Sequence, residues 1–369
     1  MIAIYPLLAV LLLWGAKLAP RGEFHRDFSS VKSDLPLRGF FMLVIVLHHV
    51  SQQLNHPGSM RLFMGVGILC VSTFFYQSGY GLTKQFHAKD DYFHHFFRHR
   101  FLKLAPPFLL CNLIFLLTDI GLGASYTPGY FLKCLVGVVL INTHAWFILT
   151  ISLFYAVFYL VFRLFERPAV RYGLLTVFWL SYTAFCLYRG SGLQLFEGAW
   201  WFNSSSLFFL GIWAGDHDRA LTVFLKKNYR PLTLLSVPVF LLFYGFSVYV
   251  TNAFPYPAND PAPLSVSALT SWFDLLWQTL AVVSFCLMVT LFSMKLKCSN
   301  AALRFLGSIS LELYLIHGLF IHLFKGQLIT IKSDVLFVAA VLSCSLLAAS
   351  LLYGLLRRCA SALEKAQPQ

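Results

Sequence analysis

Long apolar segments recur along this chain, and this recurrence constrains the fold more than any single motif does. The segments run for roughly 17–23 residues, which is the length at which an α-helix spans the hydrocarbon core of a bilayer. Only 12% of the residues are charged, whereas soluble domains carry about 25%. The longest stretch without such a segment, about residues 252–271, is too short to bury its own core. The sequence therefore predicts an all-α protein, a polytopic transmembrane helix bundle that forms one domain over residues 1–369.

The positions of the basic residues predict the topology, because lysine and arginine collect in cytoplasmic loops. They indicate about eleven spans, with the N-terminus outside and the C-terminus inside. The predicted spans cover residues 2–18, 37–54, 62–84, 101–119, 145–165, 172–188, 199–215, 231–251, 272–294, 305–325 and 335–356. Basic residues follow the first span rather than precede it, so we interpret 2–18 as an uncleaved extra span and not a signal peptide. Residues 130–143 are too short to cross, which favours a re-entrant or half helix.

The formal net charge of +13 does not by itself indicate a nucleic-acid partner. In a membrane protein the cytoplasmic loops account for such an excess, so we expect contact with membrane lipids and no nucleic acid. The eight cysteines show no CxxC pairing, so neither a disulfide framework nor a metal site is expected. No internal repeat is visible, which counts against the inverted-repeat transporter folds.

The second predicted span carries an arginine at its start and a histidine near its far end. Arg38 and His49 are eleven positions apart, and eleven steps of 100° return to within about 20° of the same helix face. Gln52, Gln53 and His56 continue the polar face beyond His49. Ionisable groups at bilayer depth mark functional sites, and histidine is the commonest general base. His49 is therefore the first candidate for chemistry; a histidine bonded to a neighbouring helix for packing is the alternative.

A basic pair forms the second candidate group. Arg100 and Lys103 share one helix face at the cytoplasmic entrance of the fourth predicted span. Together with Arg38 they would form a basic mouth for a phosphorylated donor such as a coenzyme A thioester. Positive-inside anchoring of the span explains the same charges.

Two further polar residues lie within predicted spans. Ser78 would donate a hydrogen bond to a bound carbonyl, but a Ser-Gly pair in a membrane helix also permits close helix packing. Glu312 is an acid that needs a partner at bilayer depth, and it would orient an imidazole or neutralise Arg38. His317 lies further out and is interpreted equally well as an interfacial cap.

Six segments of the chain resemble, in order, the signature segments of the membrane acyltransferase family 3. They are Arg38-Gly39 with His49, Phe74–Tyr80, Arg100–Lys103 followed by proline, His144–Phe147, Phe209–Ile212, and Leu306–Ser310 with Tyr314–His317. A single segment of this kind occurs in many proteins, whereas the ordered set of six is specific for the family. It indicates a family-like core over residues 34–358.

The resemblance implies a multi-pass enzyme of the plasma membrane, specifically of the bacterial inner membrane. Such an enzyme takes an acyl group, most often acetyl from cytoplasmic acetyl-CoA, and delivers it to a hydroxyl of a cell-surface polysaccharide or glycolipid. The essential arginine and histidine of the family match Arg38 and His49, and its basic inner pair matches Arg100 and Lys103. No appended extracellular hydrolase-like domain is evident, which implies a stand-alone member.

The chain departs from the family pattern at two acidic positions. The family commonly has an acid three residues before the arginine, whereas Asp34 stands four before Arg38. Glu312 occupies a position that is usually small or aromatic in the family, so its role is not inherited.

These considerations define the candidate site. The predicted catalytic residues are His49, Arg38 and Glu312, and the predicted substrate-binding residues are Arg100, Lys103, Ser78, Tyr80, Trp146 and Gln53. The expected partners are an acyl-CoA donor and a surface glycan or lipid-linked saccharide acceptor. The alternative function is a transporter or flippase for a glycosylated or acylated lipid, with His49 and Glu312 as a proton relay.

Overall fold

The computed structural model describes residues 1–25, 28, 31–189, 195–256 and 265–366. Within these ranges most of the chain is helical and almost none of it is sheet, as the sequence predicts. The helices are α1 (Ile4–Leu13), α2 (Val31–Ser51), α3 (Gly67–Ala88), α4 (Phe96–Gly121), α5 (Pro128–Leu135), α6 (Trp146–Leu164), α7 (Pro168–Leu187), α8 (Ser206–Asp216), α9 (Asp218–Lys227), α10 (Tyr229–Ala253), α11 (Val266–Lys295), α12 (Ala301–Ser308), α13 (Ser310–Phe324) and α14 (Asp334–Ala366). Two short strands, β1 (Lys17–Leu18) and β2 (Leu296–Lys297), pair antiparallel.

Eight helical segments in the described ranges are long and apolar enough to cross a membrane. A ninth crossing forms if α12 and α13, which meet at a bend of 75°, count as one span. The multi-pass helix bundle is therefore confirmed. Two predicted spans correspond to shorter helices, since 2–18 contains the 10-residue α1 and 199–215 overlaps the 11-residue α8, which ends at Asp216. The number of crossings and their orientation stay predictions.

Contacts between distant segments show which helix ends lie together. In the strand pair, Lys17 lies opposite Lys297. Beyond the C-terminal end of α2, the backbone N–H groups of Asn55 and His56 donate to the Asp334 carboxylate at 3.0 and 2.8 Å. Segments that are predicted to share a side of the membrane are thus in contact at each end of the bundle.

Two helix pairs approach each other closely at glycines. A Cβ on Gly39 of α2 would lie 2.4 Å from the Gly307 nitrogen of α12. A Cβ on Gly79 of α3 would lie 2.0 Å from the Phe208 carbonyl oxygen of α8, and one on Gly211 of α8 would meet the α3 backbone at 2.2 Å. Membrane helices use small residues in this way to bring their backbones together. Part of the sequence signature therefore encodes helix packing.

The bend between α12 and α13 positions two different parts of the candidate site. Because Gly307 contacts Gly39, α12 packs beside the Arg38 end of α2. After the bend, α13 contacts the remainder of α2 and carries His317 to its other end. One bent element therefore contacts both ends of the helix that holds Arg38 and His49.

Candidate active site

Arg38 and His49 lie on one continuous helix, α2, and both are half-buried. Eleven residues of helix separate them by about 16 Å along the axis. The two side chains therefore occupy different depths of the same bundle, as the spacing predicts. Each end of α2 has a different set of neighbours.

The histidine next to His49 is held by the protein itself. His48 places its Nδ1 2.8 Å from the Phe63 carbonyl oxygen, and its Nε2 lies 3.3 Å from the Gln52 side-chain nitrogen. Its ring packs against Gly67, where a Cβ would lie only 2.5 Å away. These contacts give His48 a structural role and leave His49 to face a different set of groups.

Three imidazoles from three separate segments meet at the end of α2. His49 comes from α2, His144 from a short 3-10 turn before α6, and His317 from α13. The ring centroids are 4.1 Å apart for His49 and His144, 4.6 Å for His144 and His317, and 5.2 Å for His49 and His317. One ring nitrogen of each lies within 4.8 Å of the others. Among the described residues, this histidine trio is the group that could hold a metal ion.

The turn that carries His144 is tied to α13. The Asn142 side chain donates to the Leu315 carbonyl oxygen at 2.7 Å and accepts from the His144 backbone N–H at 3.2 Å. The Tyr314 hydroxyl donates to the His144 carbonyl oxygen. The His144 ring also packs against Gly318, where a Cβ would lie 2.4 Å from it. A larger residue at position 318 would push the ring out of the trio.

His317 is completely buried, and its ring orientation is set by its own helix. Its Nδ1 lies 2.8 Å from the Tyr314 carbonyl oxygen and 3.1 Å from the Leu313 carbonyl oxygen. A nitrogen that faces carbonyl oxygens carries the proton, so the Nε2 of the neutral ring presents a lone pair. That Nε2 has no hydrogen-bond partner among the described residues.

A polar cavity opens beside the trio. It has a volume of about 460 Å³ and is lined by His49 and His144 together with Gln52, Gln53, Thr143, Ile321, His322, Lys325, Gly326 and Gln327. Seven of these ten residues carry an amide, hydroxyl or imidazole side chain. Of the three residues predicted to continue the polar face beyond His49, Gln52 and Gln53 lie in this wall, whereas His56 is not among its lining residues.

The structure does not pair Glu312 with either predicted partner. Glu312 is buried at 7% exposure, and no ion pair within 4 Å joins it to Arg38 or to a described histidine. It precedes His317 by five residues, which places the two about 140° apart around α13. The Arg38 Nε is itself buried without a hydrogen-bond partner in the described structure. A contact role for Glu312 therefore stays a prediction.

Two of the predicted substrate-binding residues meet through a tyrosine. The Arg100 guanidinium donates to the Tyr92 hydroxyl at 3.1 Å and lies 5.8 Å from the centroid of the Tyr155 ring. The Tyr155 hydroxyl in turn donates to Ser78 Oγ at 3.4 Å. Arg100 is thus oriented by aromatic side chains, while Lys103, one turn along α4, is exposed.

The other predicted substrate-binding residues lie in three different settings. The Tyr80 hydroxyl donates to Asp218 at 2.6 Å, and Tyr80 lines a small cavity of about 60 Å³ that also contains Asp34. Asp34 and Asp218 both line that cavity, and two carboxylates make it unsuited to a polyphosphate. Trp146 is 7% exposed and packs against Trp201 and other aromatic rings. Gln53 lies in the wall of the large cavity.

Sequence reasoning did not identify the trio. His144 begins one of the six signature segments, but its spacing does not relate it to His49, and the interfacial-cap interpretation of His317 does not fit a ring that is completely buried. The three residues lie on segments far apart in the chain, and helical periodicity relates only residues of one helix. Asn142, three residues before the predicted span 145–165, was the one local signal of a fixed turn.

A second buried acid, Asp274, was not among the residues predicted from the sequence. Asp274 of α11 is fully buried and accepts hydrogen bonds from Thr251 at 2.8 Å and Gln278 at 3.1 Å. This network satisfies the carboxylate between α10 and α11. Asp274 therefore has a structural explanation.

The fold and the site together define a class of protein. A bundle of apolar helices carries, beyond the C-terminal end of α2, an open cavity with imidazoles in its wall. Long apolar helices together with histidines beside a cavity are features of a multi-pass integral membrane protein with groups able to exchange protons. The model of the acyltransferase 3 family, described as an acyltransferase domain, matches residues 37–354, and the chain belongs to this family of acyltransferases. No curated protein and no solved structure matches the chain significantly.

Proposed function

We propose that this acyltransferase is an O-acetyltransferase of the bacterial inner membrane, which moves acetyl from cytoplasmic acetyl-CoA to a hydroxyl of a cell-surface polysaccharide or glycolipid. The observation that carries the proposal is the polar cavity of about 460 Å³ with His49 in its wall. Amide and imidazole groups hydrogen-bond sugar hydroxyls on both donor and acceptor sides. An aliphatic acceptor would instead require an apolar wall.

The donor would bind at the other end of α2. Arg100 and Lys103 share one face of α4, and Arg38 begins the apolar part of α2. Guanidinium and ammonium groups bind the phosphates of coenzyme A as charge-assisted hydrogen-bond donors. The aromatic support of Arg100 by Tyr155 fixes the direction of its guanidinium. The pantetheine arm would then extend along α2 toward His49.

The reaction transfers the acetyl group from sulfur to oxygen. The acceptor hydroxyl oxygen forms a bond to the thioester carbonyl carbon, and the carbon–sulfur bond breaks. His49 takes the hydroxyl proton and returns it to the coenzyme A thiolate. In the other route that the sequence left open, His49 first carries the acetyl group as a covalent relay.

The test is acetyl-CoA consumption by the purified full-length protein, with free thiol as the readout and an oligosaccharide as acceptor. We expect the His49→Ala variant to lose turnover while it accumulates and folds normally. The matched control is His56→Ala, which removes an exposed histidine just beyond the same helix. Equal turnover in wild type and His49→Ala would refute the proposal.

The same assay separates the enzyme from the transporter alternative. An acyltransferase consumes the thioester in detergent, without any ion gradient. The Arg100→Ala/Lys103→Ala double variant should raise the KM for acetyl-CoA, because it removes two cations from the donor phosphates. Transport that requires a gradient, with no thioester consumption, would favour the flippase.

A further inference from the structure

We propose that His49, His144 and His317 form a zinc-binding site whose open coordination position faces the polar cavity. Zinc in catalytic sites is held by three protein ligands, with water or substrate in the fourth position. Three imidazoles that converge beside a cavity of about 460 Å³ reproduce this donor set.

The spacing of the rings suits one ion. Zinc–nitrogen bonds of about 2.0–2.1 Å place tetrahedral ligand atoms about 3.4 Å apart. One nitrogen of each ring already lies within 4.8 Å of the others, so a small closure of the trio would complete the site. Within the described structure no hydrogen bond joins any two of these rings, so they do not satisfy one another.

His317 gives the second, independent observation. Its ring is completely buried, and its Nε2 lacks any partner in the described ranges. Its Nδ1 is held by the Tyr314 carbonyl oxygen at 2.8 Å. Zinc-ligating histidines characteristically donate their other ring N–H to a carbonyl or carboxylate, which fixes the tautomer and the ring orientation. An ion would satisfy the buried lone pair that the protein leaves unpaired.

The His144 turn is rigid enough to act as the second arm of the site. Asn142 and Tyr314 tie its backbone to α13, the helix that carries His317. Gly318 leaves room for the His144 ring directly beside His317. Two of the three ligands are thus fixed relative to each other before α2 supplies His49.

The role of the ion in transfer rests on the proposed function. With zinc bound, His49 would serve as a ligand in place of the general-base role proposed above, and the acceptor hydroxyl would take the open position. The ion would withdraw electron density from that oxygen, and the hydroxyl proton would pass to cavity water. The oxygen then bonds to the thioester carbonyl carbon, the carbon–sulfur bond breaks, and the coenzyme A thiolate takes up a proton. No oxidant or reductant is needed.

The experiment measures zinc in the full-length protein, purified in detergent without a polyhistidine tag and dialysed against buffered zinc. We expect one zinc per chain in the wild type and less than one tenth of that in His317→Ala and His144→Ala. The matched control is His94→Ala/His95→Ala/His99→Ala, which removes a different histidine cluster with ring centroids 4.5 and 5.9 Å apart. This control should keep its zinc.

A spectroscopic measurement on the wild type guards against variants that fail to fold. X-ray absorption at the zinc edge should show nitrogen or oxygen neighbours at about 2.0–2.1 Å with imidazole scattering. Sulfur neighbours, or zinc lost on removing the His94 cluster, would overturn the inference. A wild type that holds no more zinc than His317→Ala would also overturn it. If His49→Ala still abolished transfer in that case, the proposed acetyltransferase would stand without the metal.

Discussion

The contact between α3 and α8 can be tested with two glycines of the same helix. A Cβ on Gly79 would lie 2.0 Å from the Phe208 carbonyl oxygen, whereas a Cβ on Gly81 would have no atom within 4 Å. Both glycines lie inside α3, so alanine should raise helix propensity equally at each, by about 1 kcal/mol. The difference between the two variants therefore isolates the clash.

The size of the clash follows from the geometry. Close carbon–oxygen contacts in proteins are about 3.3 Å, so α8 would have to move away by about 1.3 Å in Gly79→Ala. Backbone carbonyls cannot swing aside as flexible side chains do, and overpacking costs about 1–3 kcal/mol. We expect the free energy of unfolding of Gly79→Ala to be lower than that of Gly81→Ala by about 1–3 kcal/mol.

The assay unfolds the purified protein in detergent, in one experiment by heating and in another by SDS titration. Monodispersity on size exclusion is the readout in both. Irreversible heating gives only a ranking, so the free energy of unfolding is taken from the titration. Gly211→Ala should behave like Gly79→Ala, since its Cβ would lie 2.2 Å from the α3 backbone. The double variant should cost less than the sum, because one retreat of α8 relieves both clashes. Equal stability of Gly79→Ala and Gly81→Ala would refute the close approach.

Four other substitutions, at three positions, probe the site and the contacts that support it. Asn142→Leu removes hydrogen bonds of 2.7 and 3.2 Å and should cost about 1–3 kcal/mol in SDS unfolding; unchanged stability and turnover would contradict its role in fixing the His144 turn. Tyr155→Phe keeps the ring 5.8 Å from Arg100 and should leave the KM for acetyl-CoA unchanged. Tyr155→Leu removes a cation–π interaction of about 0.5–1 kcal/mol and should raise that KM. Equal KM values for the two variants would exclude a role for the ring contact. Asp218→Asn breaks a 2.7 Å ion pair with Lys84, whose side chain is 45% exposed. We therefore expect the free energy of unfolding to fall by no more than about 1 kcal/mol, and by less in high salt. A larger loss that does not depend on salt would show that the hydrogen bond from Tyr80 to Asp218 contributes more than the ion pair.

The parts of the site that lie on one helix could be predicted from the sequence. Arg38 and His49 share α2, and Arg100 and Lys103 share α4, because helical geometry converts spacing directly into position. The stretch 130–143, which was predicted not to cross, only overlaps the 8-residue α5, since that helix ends at Leu135. Length was a weaker guide at residues 2–18 and 199–215, where apolar composition continues beyond the helices themselves.

The sequence by itself determined that this chain is a multi-pass helical membrane protein, because apolar composition and the need to satisfy backbone groups in lipid leave few other folds. It also determined the ordered segments by which the family is recognised. Only the tertiary structure decided that His49, His144 and His317 meet and that Ser78 and Arg100 share Tyr155. It also decided that, in the described part of the chain, Glu312 forms no ion pair with Arg38 or His49. The physical reason is that contacts between helices depend on crossing geometry and on backbone approach at glycines, which no single helix specifies alone.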